Sequence, residues 1–336
     1  MDNKDIVISS RVRLARNIAG YPFPSRLDSE RSLLLTQKVN EALNTSERYD
    51  IIRVSDMDEL RGESLKEMHL ISEDLLKGNK YAAAIMNAKK DVCIMVNEED
   101  HIRIQGFSSG ADFKGAYEKA VRADDAISAA MKYAFDSQLG YLTACPTNVG
   151  TGMRASAMMF LPGLAITRSL EQCVNALSRL DITIRGEFGE GSDSSGYLFQ
   201  LSNQKTLGVT EEEIISSMTD AVNQIAAQEK ICRDALLNDN PVVLRDRIYR
   251  AYGALSSSYI LSAKEFMEKI AFLRLGIYYN ILSGESEAIN DLIIKCQPAN
   301  LMLNAGKKLS PDERDVLRSK LVRNAIKASV TIKEEN

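Results

Sequence analysis

The segment IVISSRVRL, residues 6–14, decides how the first part of the chain folds. Its apolar and polar residues alternate, and that is the period of a β-strand with one buried face. The strand therefore places Arg11 and Arg13 on the same polar face, beside Ser9. The apolar face carries Ile6, Ile8, Val12 and Leu14. Two arginines thus project together from one strand.

Strands and helices are mixed over the residues that follow, up to about residue 205. Apolar residues at helical spacing predict helices over 28–43 and 111–135. Short apolar or alternating runs predict strands at 92–96, 182–185 and 197–201. This mixture predicts an α+β domain.

A predicted hairpin carries three acids at its tip. The apolar run 92–96 leads into a polar turn, after which Ile102 and Ile104 alternate with polar residues. The turn contains Glu98, Glu99 and Asp100.

The pattern from Thr210 onward is helical only. Thr210 with Glu213, and Ser262 with Glu265, have the spacing of capping boxes at helix starts. A third start is predicted at Ser310, where Pro and two acids follow the capping residue. The last hundred or so residues are therefore predicted to be an all-helical domain.

Length and composition limit the kinds of protein that this chain can be. Its 336 residues favour two domains, which the change of pattern puts at 1–230 and 231–336. The chain has 42 Lys and Arg and 46 Asp and Glu, which gives a formal charge of -4. The protein as a whole therefore lacks the positive charge that attracts nucleic acid. Any basic site must be local.

The cysteines and the hydropathy predict neither a disulfide framework nor a metal site. The five cysteines are scattered, and only two histidines could complete a metal set. No apolar run approaches the ~20 residues that cross a bilayer. We expect a cytoplasmic protein that contacts neither membrane nor nucleic acid.

The usual nucleotide-binding signatures are missing, since the sequence has neither a P-loop nor the catalytic set of protein kinases. It does have arginines at strand ends or beside glycines, namely Arg11, Arg13, Arg103, Arg154 and Arg185. The planar donor fork of arginine suits phosphate oxygens. Each arginine taken singly would more often be a solvated surface residue, whereas the five together favour an anion clamp.

Two acidic clusters stand near these arginines in sequence, residues 98–100 and Glu187 with Glu190. A guanidinium nucleophile needs a carboxylate to orient it and to take its proton, because its own pKa is above ~12. Arginines and carboxylates together favour phosphoryl transfer to a guanidine. The alternative is that both clusters are solvated turn residues, the more common fate of acids in loops.

Four segments resemble, in family order, the main motifs of the guanidino-phosphotransferase (phosphagen kinase) family. They are SSRVR at 9–13, NEEDHIR at 97–103, CPTNVGTGMRAS at 145–156 and RGEFGE at 185–190. The resemblance covers about residues 6–215. It implies an antiparallel sheet flanked by helices, followed here by the all-helical C-terminal domain.

The resemblance also implies roles for individual residues. The five arginines would bind ATP phosphates, Glu99 and Glu190 would hold the guanidinium with Glu99 as base, and Cys145 matches the family's active-site cysteine. Arg154 and Arg185 would follow the migrating charge. Magnesium is expected with ATP, without predicted protein ligands. The nucleotide site is predicted to comprise Ser9, Ser10, Arg11, Val12, Arg13, His69, Arg103, Arg154, Ala155, Ser156, Ala157, Met158, Arg185, Gly186, Glu187, Phe188, Gly189 and Glu190.

The order of the parts is similar to the bacterial protein-arginine kinase branch of the family, because the extra helices follow the catalytic motifs. RDVLRS at 314–319 resembles that branch's R-D-x-x-R-A phosphoarginine-binding motif, with serine in the last position. The predicted allosteric residues are Arg314, Asp315, Arg318 and Ser319. The resemblance further implies protein substrates, a homodimer, an activator protein, and delivery of marked proteins to a Clp-type protease in the stress response.

Three alternatives remain at this point. The enzyme could phosphorylate a small free guanidine, or the chain could be a weakly catalytic reader of phosphoarginine. The helical region could also serve only to form dimers, with the RDVLRS segment as a surface ion-pair ladder.

Overall fold

The computed structural model describes residues 3–45, 47–78, 81–186 and 195–333. Its strands are β1 Val7–Arg16, β2 Tyr49–Arg53, β3 Ala83–Asn87, β4 Val92–Val96, β5 Ile102–Ser109, β6 Phe135–Asp136, β7 Gly140–Tyr141, β8 Met153–Phe160, β9 Ile182–Gly186, β10 Leu198–Asn203, β11 Leu282–Ser283 and β12 Thr331–Ile332. Its α-helices are α1 Ser29–Leu43, α2 Glu59–Glu67, α3 Glu73–Lys77, α4 Phe113–Ala130, α5 Pro162–Ile166, α6 Leu170–Ser178, α7 Glu211–Asp239, α8 Pro241–Ser257, α9 Ala263–Tyr278, α10 Ser286–Lys295, α11 Pro298–Ala305 and α12 Pro311–Ser329.

The strand predicted at residues 6–14 lies in the middle of an eight-stranded sheet. The strand order is β2-β3-β4-β5-β1-β8-β10-β9, and neighbouring strands pair antiparallel. The predicted hairpin is confirmed, since β4 pairs with β5 across the acidic turn. The predicted α+β class with an antiparallel sheet and flanking helices is confirmed as well.

One face of this sheet forms the main core with α4 and α7. Val12 and Leu14 of β1 are fully buried there, as the alternation predicts. Gly106 of β5 lets α4 approach closely, because a Cβ at this position would lie 2.1 Å from the carbonyl oxygen of Ala116. The opposite face carries the motif side chains.

The helix predicted over 111–135 is too long at its C-terminal end. α4 stops at Ala130, and Met131 has extended backbone angles. The next residues pair with the chain after β1 instead: the Ala134 amide donates to the Asn17 carbonyl at 2.7 Å. Tertiary pairing therefore overrides the local helical spacing.

The helical segment after the sheet begins as the capping pattern predicts. Thr210 and Ser310 form complete capping boxes with Glu213 and Glu313. At Ser262 only the hydroxyl bond from the Glu265 amide is found among the described residues. The long α7 packs its first half on the sheet, and the chain turns at Asn240 into α8.

The C-terminal helices have a separate core, built mainly from α8, α9, α10 and α12. This core extends onto the sheet, since Phe160 and Leu198 belong to it. A third, smaller cluster packs α2 and α3 against β3 and β4. In the described residues, no helix combines the length and the apolar character that a bilayer crossing requires.

Candidate active site

The five motif arginines share one face of the sheet, opposite the main core. Strand register sets this arrangement: Arg13 of β1 lies directly opposite Arg154 of β8, and Arg103 of β5 lies opposite Ala15, two residues further along β1. Opposed residues of antiparallel strands point to the same side. Arg185 of β9 reaches this face through its neighbour Gln200, and Arg11 is bonded to the same glutamine at 3.2 Å.

Two of these arginines, Arg13 and Arg154, have guanidinium groups whose pKa is lowered by their surroundings. Burial, followed by Arg11, Arg103 and Arg154, lowers the pKa of the Arg13 guanidinium well below its ordinary value. Burial, Arg103 and Arg185 likewise lower the pKa of Arg154. The buried Nε atoms of Arg13 and Arg154 have no hydrogen-bond partner in the described part of the chain. Such a cluster is stabilised by a polyanion that takes up its donors.

Glu98, the first acid of the turn, positions Arg103. Its carboxylate is completely buried and pairs with the Arg103 guanidinium at 2.5 Å. It also accepts a hydrogen bond from the Ser72 hydroxyl, next to α3. The Glu98 carboxylate is therefore engaged by other side chains of the protein.

Glu99 is the carboxylate of the turn that stays accessible. It lies at the surface, and within the described residues no hydrogen bond or ion pair of its carboxylate is found. Partial burial and then the neighbouring Asp100 raise its pKa, which favours proton uptake. Asp100 is committed elsewhere, because it accepts hydrogen bonds from Asn17 and from the Ala144 amide, both at 2.6 Å.

The bond from Ala144 ties the Cys145 loop to the acidic turn. The Cys145 thiol is partly exposed and lies 3.0 Å from the Thr147 hydroxyl. Both Cys145 and Glu99 interact electrostatically with Arg154. The thiol, the free carboxylate and the arginine cluster thus meet at one end of the sheet.

A cavity of about 130 Å³ lies beside Arg11 on the same face. Its wall includes Ser9, His69, Ser156 and Met158, four residues of the predicted nucleotide site. Four further residues line it, namely Met68, Phe107, Gln200 and Ile294. A cavity with apolar walls and an arginine at its mouth suits a nucleotide base and its phosphates.

His69 enters this cavity from a strained backbone position, with φ of +58°. Burial and the nearby Arg11 lower the pKa of its imidazole to about 4. The ring is therefore neutral at physiological pH. It adds no positive charge to the arginine cluster.

Four residues of the predicted nucleotide site point away from it. Val12, Ala155 and Ala157 are fully buried in the main core, on the other face of the sheet. Ser10 is buried too, and its hydroxyl donates to the Gly110 carbonyl at 2.6 Å. Their side chains support the strands that carry the arginines; they do not reach the cavity.

The last catalytic motif is only partly visible. Arg185 is exposed and Gly186 ends β9. Glu187, Phe188, Gly189 and Glu190 lie outside the described residues.

The RDVLRS segment occupies the first turns of α12, with its four predicted residues in different surroundings. Arg318 is 1% exposed and donates to two backbone carbonyls, those of Leu261 and Cys296, as well as to Asp315. The Ser319 hydroxyl donates to the Ser258 carbonyl. Arg314 lines a separate cavity of about 370 Å³ between α2 and α11. Arg318 is thus engaged inside the protein, whereas Arg314 lies at the wall of that cavity.

Sequence reasoning missed Phe107, Gln200 and Ile294. Phe107 and Gln200 sit at alternate positions of predicted strands, so their face could have been assigned once the register was known. Ile294 follows from no local signal, because α10 reaches the cavity only through tertiary packing. In the described ranges, no group of three or more His, Cys, Asp or Glu could hold a metal ion.

Comparison with known proteins agrees with this geometry. Residues 34–232 match the family described as ATP:guanido phosphotransferase, C-terminal catalytic domain. Lombricine kinase has a similar structure, with a TM-score of 0.61 and 26% identity over 68% of this chain and 67% of that one. The chain belongs to the ATP:guanido phosphotransferase family.

Within that family, the helical region and the whole-length relatives point to one group. Residues 241–336 match the protein-arginine kinase McsB C-terminal domain. A protein-arginine kinase of Pelotomaculum thermopropionicum is 43% identical, covering 95% of this chain and 92% of that protein. Those of Clostridium tetani and Geobacillus stearothermophilus are 39% and 40% identical, over 98% and 99% of this chain and 98% and 93% of theirs.

Proposed function

We propose that this enzyme transfers the γ-phosphoryl group of ATP to arginine side chains of proteins. The observation that carries the proposal is the set of five arginines on one sheet face, with the pKa of Arg13 and of Arg154 lowered by burial and by the other arginines, and with Glu99 at the edge of the set. ATP supplies negative charge, and an arginine side chain supplies the guanidinium that Glu99 receives. The whole-length similarity to protein-arginine kinases supports the same acceptor.

The chemical step follows from these roles. A guanidinium nitrogen of the acceptor gives a proton to the Glu99 carboxylate and forms a bond to the γ-phosphorus. The bond from that phosphorus to the β,γ-bridging oxygen breaks, and ADP leaves with the electron pair. The raised pKa of Glu99 brings its basicity closer to what proton transfer needs.

The arginines stabilise the charge that moves during transfer. The transition state of phosphoryl transfer is loose and spreads charge over the transferred oxygens. Arg154 and Arg185 are the residues proposed to follow that charge, and Cys145 is proposed to lie at the acceptor. Glu190 is proposed as the second guanidinium carboxylate on the motif alone.

Magnesium is proposed to arrive with ATP. Mg²⁺ keeps several waters and binds through phosphate oxygens and one or two carboxylates, so it does not need a closed protein cage. The carboxylates of the acidic turn have other roles in this proposal, so the ion would be held by the phosphate oxygens and water. Bound there, the ion would neutralise charge on the phosphates.

Regulation and partners are further parts of the proposal. Arg314 and Asp315 stay partly exposed and are proposed to bind phosphoarginine, whereas Arg318 and Ser319 would support them from within. We also propose a cytoplasmic homodimer that works with an activator protein and marks proteins for a Clp-type protease. The similarity of residues 241–336 to the McsB C-terminal domain supports this part.

The test is incubation with ATP, Mg²⁺ and a flexible arginine-containing protein such as casein, with free arginine in a parallel reaction. Mass spectrometry under non-acidic conditions should find phosphoarginine in casein. Labelling of free arginine without casein would favour a small-guanidine kinase. Labelling of neither casein nor free arginine would favour the alternative in which the chain binds phosphoarginine and has little catalytic activity.

A further inference from the structure

A groove of about 340 Å³ lies at the end of the sheet that carries the Cys145 loop. We call it the hairpin groove. Its walls are the β6–β7 hairpin, the loop at Gly150 and Thr151, and residues 206–212. No motif residue with a catalytic role lines it, so the proposed reaction leaves it unexplained.

Three chain segments meet tightly at the floor of the groove. A Cβ on Gly140 would lie 2.5 Å from the Gly150 carbonyl oxygen, and one on Gly150 would lie 2.1 Å from that of Thr206. Beneath them the buried Arg16 guanidinium stacks 3.6 Å from the Tyr141 ring centre and donates to the Thr151 carbonyl at 2.9 Å. The three segments that form the groove are therefore packed closely against one another.

The groove continues directly into the catalytic end of the sheet. The Thr206 hydroxyl donates to the Thr147 carbonyl at 3.0 Å, and the Thr147 hydroxyl contacts the Cys145 thiol. The same loop is bonded through Ala144 to Asp100, the neighbour of Glu99. A chain lying in the groove would pass within a few residues of the proposed acceptor position.

The lining combines exposed apolar side chains with negative charge. Phe135, Leu139 and Leu207 are 60%, 47% and 47% exposed. Glu211 and Glu212 complete one wall, and among the described residues no lysine or arginine lines the groove. Glu212 is exposed, while Glu211 is partly engaged by Tyr117 and Arg16. This chemistry complements an extended polypeptide with apolar and basic residues.

We propose that the hairpin groove binds the polypeptide that flanks the acceptor arginine. The inference rests on the proposed function and specifies its substrate class: unfolded segments whose arginine has apolar and lysine neighbours. A small free guanidine would have nothing to place on Leu139 or Leu207. The groove would therefore lower KM for polypeptides and leave the chemical step unchanged.

The experiment compares two synthetic peptides of equal length, each with one arginine. The flanks are apolar and lysine residues in the first and only glycine and serine in the second. The wild type should prefer the first by about tenfold in kcat/KM, the worth of one or two apolar contacts. Leu207→Gln and Glu212→Lys should remove the preference through a higher KM for the first peptide.

The matched control is Ile231→Gln, which changes an exposed apolar residue on the same helix as Glu212. It lies about 28 Å further along α7, and it should keep the preference. Fluorescence anisotropy of both labelled peptides is measured on every variant, so that docking is judged even if no phosphoryl transfer occurs.

Three outcomes would overturn the inference. The wild type could show no preference between the two peptides in binding or in kinetics. The preference could survive in both groove variants. Leu207→Gln could halve the molecular mass in solution, which would assign the groove to a second copy of this chain. Failure to phosphorylate either peptide, with preferential binding retained, would contradict the proposed function and leave the docking inference standing.

Discussion

Arg13 and Arg16 lie three residues apart on β1, on opposite faces of the sheet, and their surroundings differ. Arg16 donates to the Asp124 carboxylate at 3.0 and 2.8 Å and to two backbone carbonyls. After burial, three arginines have the largest effect on the Arg13 pKa and lower it, Glu98 raises it by less, and the Arg13 Nε is without a partner in the described structure. The fold therefore gives the Arg16 guanidinium hydrogen-bond partners and an opposite charge, whereas the Arg13 guanidinium keeps an unpaired donor.

The difference separates a structural role from a functional one. A buried charge is costly unless it is paired and hydrogen-bonded, so Arg16 holds Asp124 and the Thr151 loop in place. The Arg13 cluster costs stability in the free protein and regains it when an anion binds. Substitutions of structural and of functional residues test this distinction.

The largest expected effect is on catalysis at Glu99. Glu99→Gln should lower kcat by about 10²–10⁴-fold, because the amide cannot accept the guanidinium proton. ATP affinity should stay within a few-fold, measured by equilibrium titration. Activity within a few-fold of wild type would remove Glu99 from the role of base.

Glu98→Gln is the matched comparison at the adjacent position. Because Glu98 holds Arg103, this change should raise KM for ATP more than it lowers kcat. Similar kinetic effects of Glu98→Gln and Glu99→Gln would show that the two carboxylates do not have different roles.

The next largest effect is on stability at Arg16. Arg16→Met should lower the free energy of unfolding by about 3–5 kcal/mol, since it leaves the buried Asp124 carboxylate uncompensated. Chemical denaturation measures this directly. A loss below about 1 kcal/mol would place this pair with ordinary surface ion pairs.

A smaller effect is expected from Arg154→Lys. Charge is kept but the forked contact is lost, so kcat should fall by roughly tenfold to a hundredfold while KM for ATP changes little. Steady-state kinetics separate the two parameters. A change confined to KM would make Arg154 a ground-state anchor.

The smallest effect concerns pH and His69. Its pKa is lowered from an ordinary 6.5 to about 4, so the unfolded chain binds more protons between these values and stability falls as pH drops through them. In the wild type, this titration should lower the free energy of unfolding by about 1–2 kcal/mol between pH 7 and pH 5. In His69→Gln that decrease should be absent. Denaturation at both pH values tests this, and an unchanged pH dependence would contradict it.

Much of the site was readable from sequence because its residues carry strong local patterns. The alternation of residues 6–14 predicted which side of β1 bears Arg11 and Arg13, and the acidic turn was predicted at the hairpin tip. Patterns of this kind depend on nearest neighbours along the chain. Register between distant strands does not, and so the pairing of Arg13 with Arg154 had to come from the structure.

Other features depend on packing that no local spacing encodes. The end of α4 is set by pairing of residues 132–134 with the chain after β1. The motif at the start of α12 placed four residues together, yet helix packing buries Arg318 and leaves Arg314 facing a cavity. The different roles proposed for Glu98 and Glu99 likewise depend on tertiary structure, because Arg103 pairs with Glu98 and not with Glu99.

The most direct test of the account is the free energy of unfolding of Arg13→Met, with and without ATP and Mg²⁺. Without nucleotide, the variant should be as stable as wild type or more stable, because a costly buried charge is removed. Wild type should gain about 2.7 kcal/mol at ATP a hundredfold above Kd, and the variant should lose most of that gain. A variant destabilised by several kcal/mol without nucleotide, as expected for Arg16→Met, and still fully stabilised by ATP would contradict the assignment of the Arg13 cluster to phosphate binding.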